Sequence, residues 1–236
     1  MPAKISKRFY KSVAVKPLES GYGILLDDRG VRTPVGAHLS VPTKALAQAM
    51  AEEWDAQEEH IKPHSMLLTG MANTAIDRIS SSRTAVIDEV EAYANSDLLC
   101  YWAEEPADLV QRQAKTWKPL LDWAASTFDA QMIVTEGIIH VSQSEDALTS
   151  LRLVVEKEAD FPLTAVSSLT AICGSLIVAL AVRYGRLDAD QAFEVSQLEE
   201  THQIELWGED YEAHDRRENL QRNISSMAQF LTLLES

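Results

Sequence analysis

Apolar and polar positions divide the chain into a front part with the two-residue period of strands and a longer remainder with helical spacing. Arg8–Val15 mixes aromatic and β-branched residues with polar ones up to Pro17, and Gly21–Leu26 is a second such run. Asp27-Asp28-Arg29-Gly30 has turn chemistry, Val31–Thr33 reads as a returning strand, and Leu39–Val41 as a fourth, closed by Pro42. Together these predict a small antiparallel sheet. Thr43 suits a helix cap, and Leu46, Met50, Glu53, Trp54 and Gln57 follow at helical spacing. A helix to about Glu59 should then cover one face of the sheet. Ile61–His64 reads as a linker, which sets a small α+β domain at 1–62 before a mostly α-helical bundle domain at 63–236.

Beyond the linker, helices are predicted over Met66–Ile79, Thr84–Asn95, Pro106–Phe128, Ser144–Asp160, Asp188–Trp207 and Asp210–Leu234, with Gly208 between the last two. Asp97–Trp102 fits either a strand or a buried helical segment. Met132–Thr135 and Ile138–Val141 flank Glu136-Gly137 as a hairpin-like pair or an extended connection. The landmark is Phe161–Val182, which holds no charged residue. It is long enough to cross a bilayer. It also carries Thr164, Ser167, Ser168, Thr170 and Ser175, and no second segment resembles it, so it reads as the buried central helix of the bundle.

Composition narrows the function. The 236 residues carry a net charge of -15, which repels nucleic acid and anionic membrane surfaces and favours a basic or mixed protein partner. Cys100 and Cys173 stand far apart in apolar surroundings and read as buried free thiols of a reducing compartment. The basic start, MPAKISKRFYKS, has no apolar core after it and does not read as a secretory signal.

Candidate chemistry is sparse. No GxxxxGK[ST], GxGxxG or GxSxG occurs. Glu199-Glu200-Thr201-His202 has the Glu-x-x-His spacing of di-iron bundles but lacks a second such pair. One reading is therefore a metal-dependent helical-bundle enzyme using Glu199 and His202; the other is a solvated or partner-facing acidic helix. From Glu194 to Glu218 acids are dense and only Arg216 and Arg217 oppose them in sequence, an arrangement that a cationic partner would relieve. Trp207, beside Gly208, could anchor such a partner. Asp77-Arg78 reads as a structural ion pair or a joint between the domains.

Seven segments, in order and spacing, carry a resemblance over nearly the whole chain. They are Arg8-Phe9-Tyr10-Lys11, Glu53-Trp54-Asp55-Ala56-Gln57, Ala72-Asn73-Thr74-Ala75-Ile76-Asp77-Arg78, Asp97-Leu98-Leu99-Cys100-Tyr101, Trp117-Lys118-Pro119-Leu120-Leu121, Gly174-Ser175-Leu176 and Gln203-Ile204-Glu205-Leu206-Trp207-Gly208. The chain resembles the ATP synthase assembly chaperones of the ATP-twelve family. The resemblance implies a non-enzymatic protein without cofactor or metal. Such a protein binds the unassembled α subunit of the synthase's catalytic head, masks its β-facing surface and is released on assembly. It implies an essential acidic residue at Glu199, with Glu200, Gln203, Glu205 and Trp207 lining the same surface, and a structural or interdomain role for Asn73, Asp77 and Arg78. The bacterial cytoplasm is the expected location, the mitochondrial matrix that of eukaryotic relatives. No membrane insertion is expected, and the oligomeric state is left open. Two departures stand out: Asp28 where glycine is expected, and Gly70 where the family usually has a basic residue.

Overall fold

The structure, a computed structural model, describes residues 6–236. The reading of the basic N-terminal stretch therefore falls, in its first five residues, outside those described. The chain forms two compact units. The first comprises the chain up to Arg83 with Asp160–Ala165 and Gln229–Ser236; the second comprises Thr84–Ala159 and Val166–Ala228. The expected domain limit near residue 62 thus differs from the unit limit at 83.

In the first unit β2 (Gly21–Leu26) is the centre of an antiparallel sheet, pairing with β1 (Val13–Leu18), β3 (Arg29–Gly30) and β4 (Ser40–Val41). Pro17 lies within β1 rather than ending it, opposite Tyr22; β1 is an edge strand, where a missing N–H is tolerated. Asp27 and Asp28 both take left-handed φ, 46° and 67°, and so make the two-residue turn between the paired Leu26 and Arg29. The Asp27 carboxylate accepts from the N–H groups of Lys11 (3.0 Å) and Ser12 (2.9 Å), which hold its pKa below the ordinary value. Asp28 in place of glycine therefore leaves the hairpin intact. At Gly21 a Cβ would lie 2.3 Å from the Val41 carbonyl oxygen, so only glycine lets β4 approach.

Helix α1 (Lys44–Asp55) starts as expected, with the Thr43 hydroxyl accepting from Leu46 N–H at 3.2 Å, and buries Leu46, Ala47 and Met50. Its far end braces the unit. Arg8 donates to the Asp55 carbonyl at 2.8 Å and to the Gln57 carbonyl, and Tyr10 Oη donates to the Trp54 carbonyl at 2.6 Å. Helix α2 (Leu67–Thr74) has no cap from Met66. Instead the Glu53 carboxylate accepts from Leu68 N–H (2.7 Å) and Thr69 N–H (2.8 Å). A π-helical turn, Ala75–Ile79, follows, and α3 (Ser80–Ala94) continues with a kink at Ser82 in place of the expected break.

The second unit is mostly helical: α4 (Ala107–Phe128), α5 (Glu145–Glu156), α7 (Leu176–Arg183), α8 (Ala189–Ser196) and α9 (Leu198–Trp207), with most of α3 and parts of α6 (Asp160–Cys173) and α10 (Tyr211–Leu234). The apolar stretch is buried as expected, but it is two helices rather than one. Gly174, at φ 64°, ends α6, and Ser175 caps α7 by accepting from Val178 N–H at 3.0 Å. Among the described residues no helix is long and apolar enough to cross a membrane. The predicted helix 188–207 also divides, at Gln197, into α8 and α9. Asp97–Trp102 resolves into a 3₁₀ turn, Leu98–Cys100, and β5 (Tyr101–Trp102). β5 pairs in parallel with β6 (Thr135–Glu136), so 132–141 is an extended connection and not a hairpin. The two cysteines are free and buried.

Candidate functional site

Helix α9 carries six of the residues singled out above, Glu199, Glu200, His202, Gln203, Glu205 and Trp207, and it is held against α4 and α10 by polar contacts. Glu199, partly buried, accepts at 2.6 Å from Gln113 Nε2 of α4. Gln113 is wholly buried, and its Oε1 also accepts from Ala103 N–H at 2.8 Å. Burial pushes the Glu199 carboxyl up, against the Gln113 donor that pulls it down. Next on the helix, Glu200 pairs with Arg216 at 3.1 Å and Glu205 with Arg112 at 2.7 Å. Gln203 is exposed. Glu209, just past the helix, meets Arg217 at 3.4 Å and His214 at 3.0 Å, and it raises the His214 pKa.

Three-dimensional neighbours thus neutralise much of the acidic run, more than Arg216 and Arg217 alone suggested. Glu194, Glu212 and Asp215 make no ion pair among the described residues. A cleft of about 550 Å³ lies between α9 and α10, lined by Glu199, Glu200, Gln203, Arg216, Arg217 and Asn223 among others. At the end of α9 the surface turns apolar: Leu206 is 57%, Trp207 77% and Tyr211 79% exposed. Rings and an isobutyl group thus stand in water beside a charged face, an exposed apolar patch with a polar border.

Glu199 and His202 do not converge. The His202 ring is buried and its Nε2 meets Asp108 Oδ2 at 2.8 Å, while the Glu199 carboxylate turns to Gln113. Among the described residues no group of three or more His, Cys, Asp or Glu side chains could hold a metal ion. Asn73 lies in the last turn of α2, and Asp77 and Arg78 lie in the π-helical turn, all in the first unit. Asp77 Oδ2 accepts from Val35 N–H at 3.3 Å, and Asn73 Oδ1 and Asp77 Oδ1 are buried without a hydrogen-bond partner among the described residues. Arg78 is exposed. Sequence reasoning missed Gln113, Arg112, Asp108, Leu206 and Tyr211. Gln113 could have been found, because it falls four residues before Trp117 on the buried face of α4.

These features define a class: a small α+β unit and a helical unit, with exposed apolar side chains beside a charged helix face and, among the described residues, no cluster able to hold a metal ion. The chain belongs to the ATP12 chaperone protein family, whose model matches residues 7–125. It is a family of ATP synthase assembly chaperones. The crystal structure of Atp12 from Paracoccus denitrificans is 41% identical and superposes with a TM-score of 0.92, the match covering 97% of this chain and 98% of that one. The structure of a mutant of the Paracoccus denitrificans protein gives the same values. The mitochondrial protein atp12 of Schizosaccharomyces pombe is 25% identical over 242 residues, 97% of this chain and 83% of that relative.

Proposed function

We propose that this protein binds the unassembled α subunit of the ATP synthase catalytic head, masks its β-facing surface against aggregation, and is released on assembly. The observation that carries this reading is the α9 surface of a chain in this family: a half-buried, positioned carboxylate at Glu199 and an exposed Leu206, Trp207 and Tyr211 at its end. An orphan subunit exposes apolar interface that aggregates. Trp207 and Leu206 cover such surface, while Glu199, Glu200, Gln203 and Glu205 meet polar and basic groups at its border and set encounter rate and register. The role is binding rather than catalysis. The compartment that goes with it is the bacterial cytoplasm, which suits two free thiols.

Two variants test the site. Glu199→Lys should weaken α-subunit binding by at least about tenfold, with a native circular dichroism spectrum. Glu199→Gln, which preserves shape, should lose less. If both variants fold and bind like wild type, Glu199 is not part of the contact.

A further inference from the structure

The segment around β6 presents apolar side chains that neither core takes in. Ile138 is 97% exposed and Ile139 77%, and Ile133 and Val134 stand at 42% and 40% just before the strand. Large apolar residues so closely grouped form a patch, unlike single surface residues, and patches mark contact sites. The backbone beneath them is braced. Gln143 clasps Ile133, accepting from its N–H at 2.7 Å and donating to its carbonyl at 2.9 Å. Gly137 N–H donates to the Trp102 carbonyl at 2.8 Å, and Tyr101 Oη meets His140 Nδ1 at 2.9 Å. A held strip costs little ordering when a partner docks. A cavity of about 400 Å³, lined by Trp102, Leu121, Met132 and Val134 among others, offers room for an apolar side chain.

The border is acidic. Glu104, Glu105 and Glu136 are exposed and make no ion pair among the described residues, and the Glu104 carboxylate lies 3.0 Å from the place a Gly137 Cβ would take. Lys118 nearby is engaged with Asp122 at 2.7 Å. The strip is also tied to α9 through the interior: β5, its strand partner, leads into Ala103, and the buried side chain of Gln113 joins Ala103 N–H to the Glu199 carboxylate.

We propose that Ile133–Ile139 is a second contact for the same client, taking an extended apolar segment of the unassembled subunit that has basic residues beside it. This rests on the chaperone function proposed above. The exposed apolar area of helix α9 is confined to its end, at Leu206 and Trp207, whereas covering an aggregating interface needs more; the strip supplies that area, and its three free carboxylates select the basic flank.

The test is the double variant Ile138→Ser/Ile139→Ser, which changes only exposed side chains, its fold checked by thermal melting. Titrated with unassembled α subunit, it should bind about tenfold or more weakly than wild type. In the wild-type complex, the amides of 133–141 should gain protection from hydrogen exchange. Equal binding by folded wild type and variant overturns the second contact and leaves the chaperone function standing. Wild type that fails to bind the α subunit at all overturns both. Self-association of wild type that the variant abolishes, with client binding unchanged, assigns the strip to a second copy of this chain and overturns the client contact.

Discussion

Gln113 holds two groups from a position without exposure: the Ala103 N–H and the Glu199 carboxylate. Replacing it by leucine keeps the volume but orphans both, and a buried orphan costs about 1–3 kcal/mol, less at Glu199, whose carboxylate is only half-buried. Gln113→Leu should therefore lower unfolding stability in urea by roughly 2–4 kcal/mol, whereas the exposed Gln203→Leu should change it little. Equal effects would mean that the Gln113 bonds carry no net stability. The residue scale is also where the sequence was least legible. The choice of Glu199 followed from resemblance, and its spacing to His202 invited a metal reading. The two side chains turn to different residues of α4, Gln113 and Asp108, and a contact across so many residues leaves no local trace. Trp207 was legible, because a tryptophan next to a glycine at the end of an acidic helix has nowhere to bury itself.

At the scale of elements, the break between α6 and α7 is organised by one buried carboxylate. Asp97 accepts from Leu99 N–H at 3.1 Å and from Ile177 N–H at 3.2 Å, and Leu98 N–H donates to the Gly174 carbonyl at 3.0 Å. Burial raises the Asp97 pKa from 3.8 to about 6, against hydrogen bonds from Ser175, Ile177, Leu99 and Leu176 that pull it down. The folded state therefore keeps this proton to higher pH than the unfolded chain does. The stability that Asp97 contributes through it is complete below about pH 4 and is lost as pH rises through 6. Relative to Asp97→Asn, wild type should lose on the order of 3 kcal/mol between pH 4 and 7 in denaturant titrations. A difference that stays flat or grows with pH would mean that the hydrogen bonds outweigh burial. The apolar run was visible as a buried core element, and Gly174-Ser175 was visible as small residues. Their role as a helix stop was not, since it depends on the left-handed φ of Gly174 and on Asp97 arriving from elsewhere in the chain. In the same way Asp97–Trp102 was open between strand and helix because pairing with Thr135–Glu136 decides it.

For the whole molecule, the small antiparallel sheet with its helix and the mostly helical remainder could be read from periodicity, and the relatives share this fold. The membership of the two units could not, because the first gathers Asp160–Ala165 and Gln229–Ser236 from far along the chain. A net charge of -15, with Glu194, Glu212 and Asp215 making no ion pair among the described residues, gives the molecule a negative field that favours basic groups and weakens in salt. The most direct measurement is light scattering from freshly diluted, unassembled ATP synthase α subunit mixed with this protein, followed by size exclusion. Suppressed scattering is expected, with a soluble complex that forms more slowly as salt is raised and dissolves when β subunit is added. Unchanged aggregation and no complex, with a folded sample and the cognate α subunit, would contradict the proposed function.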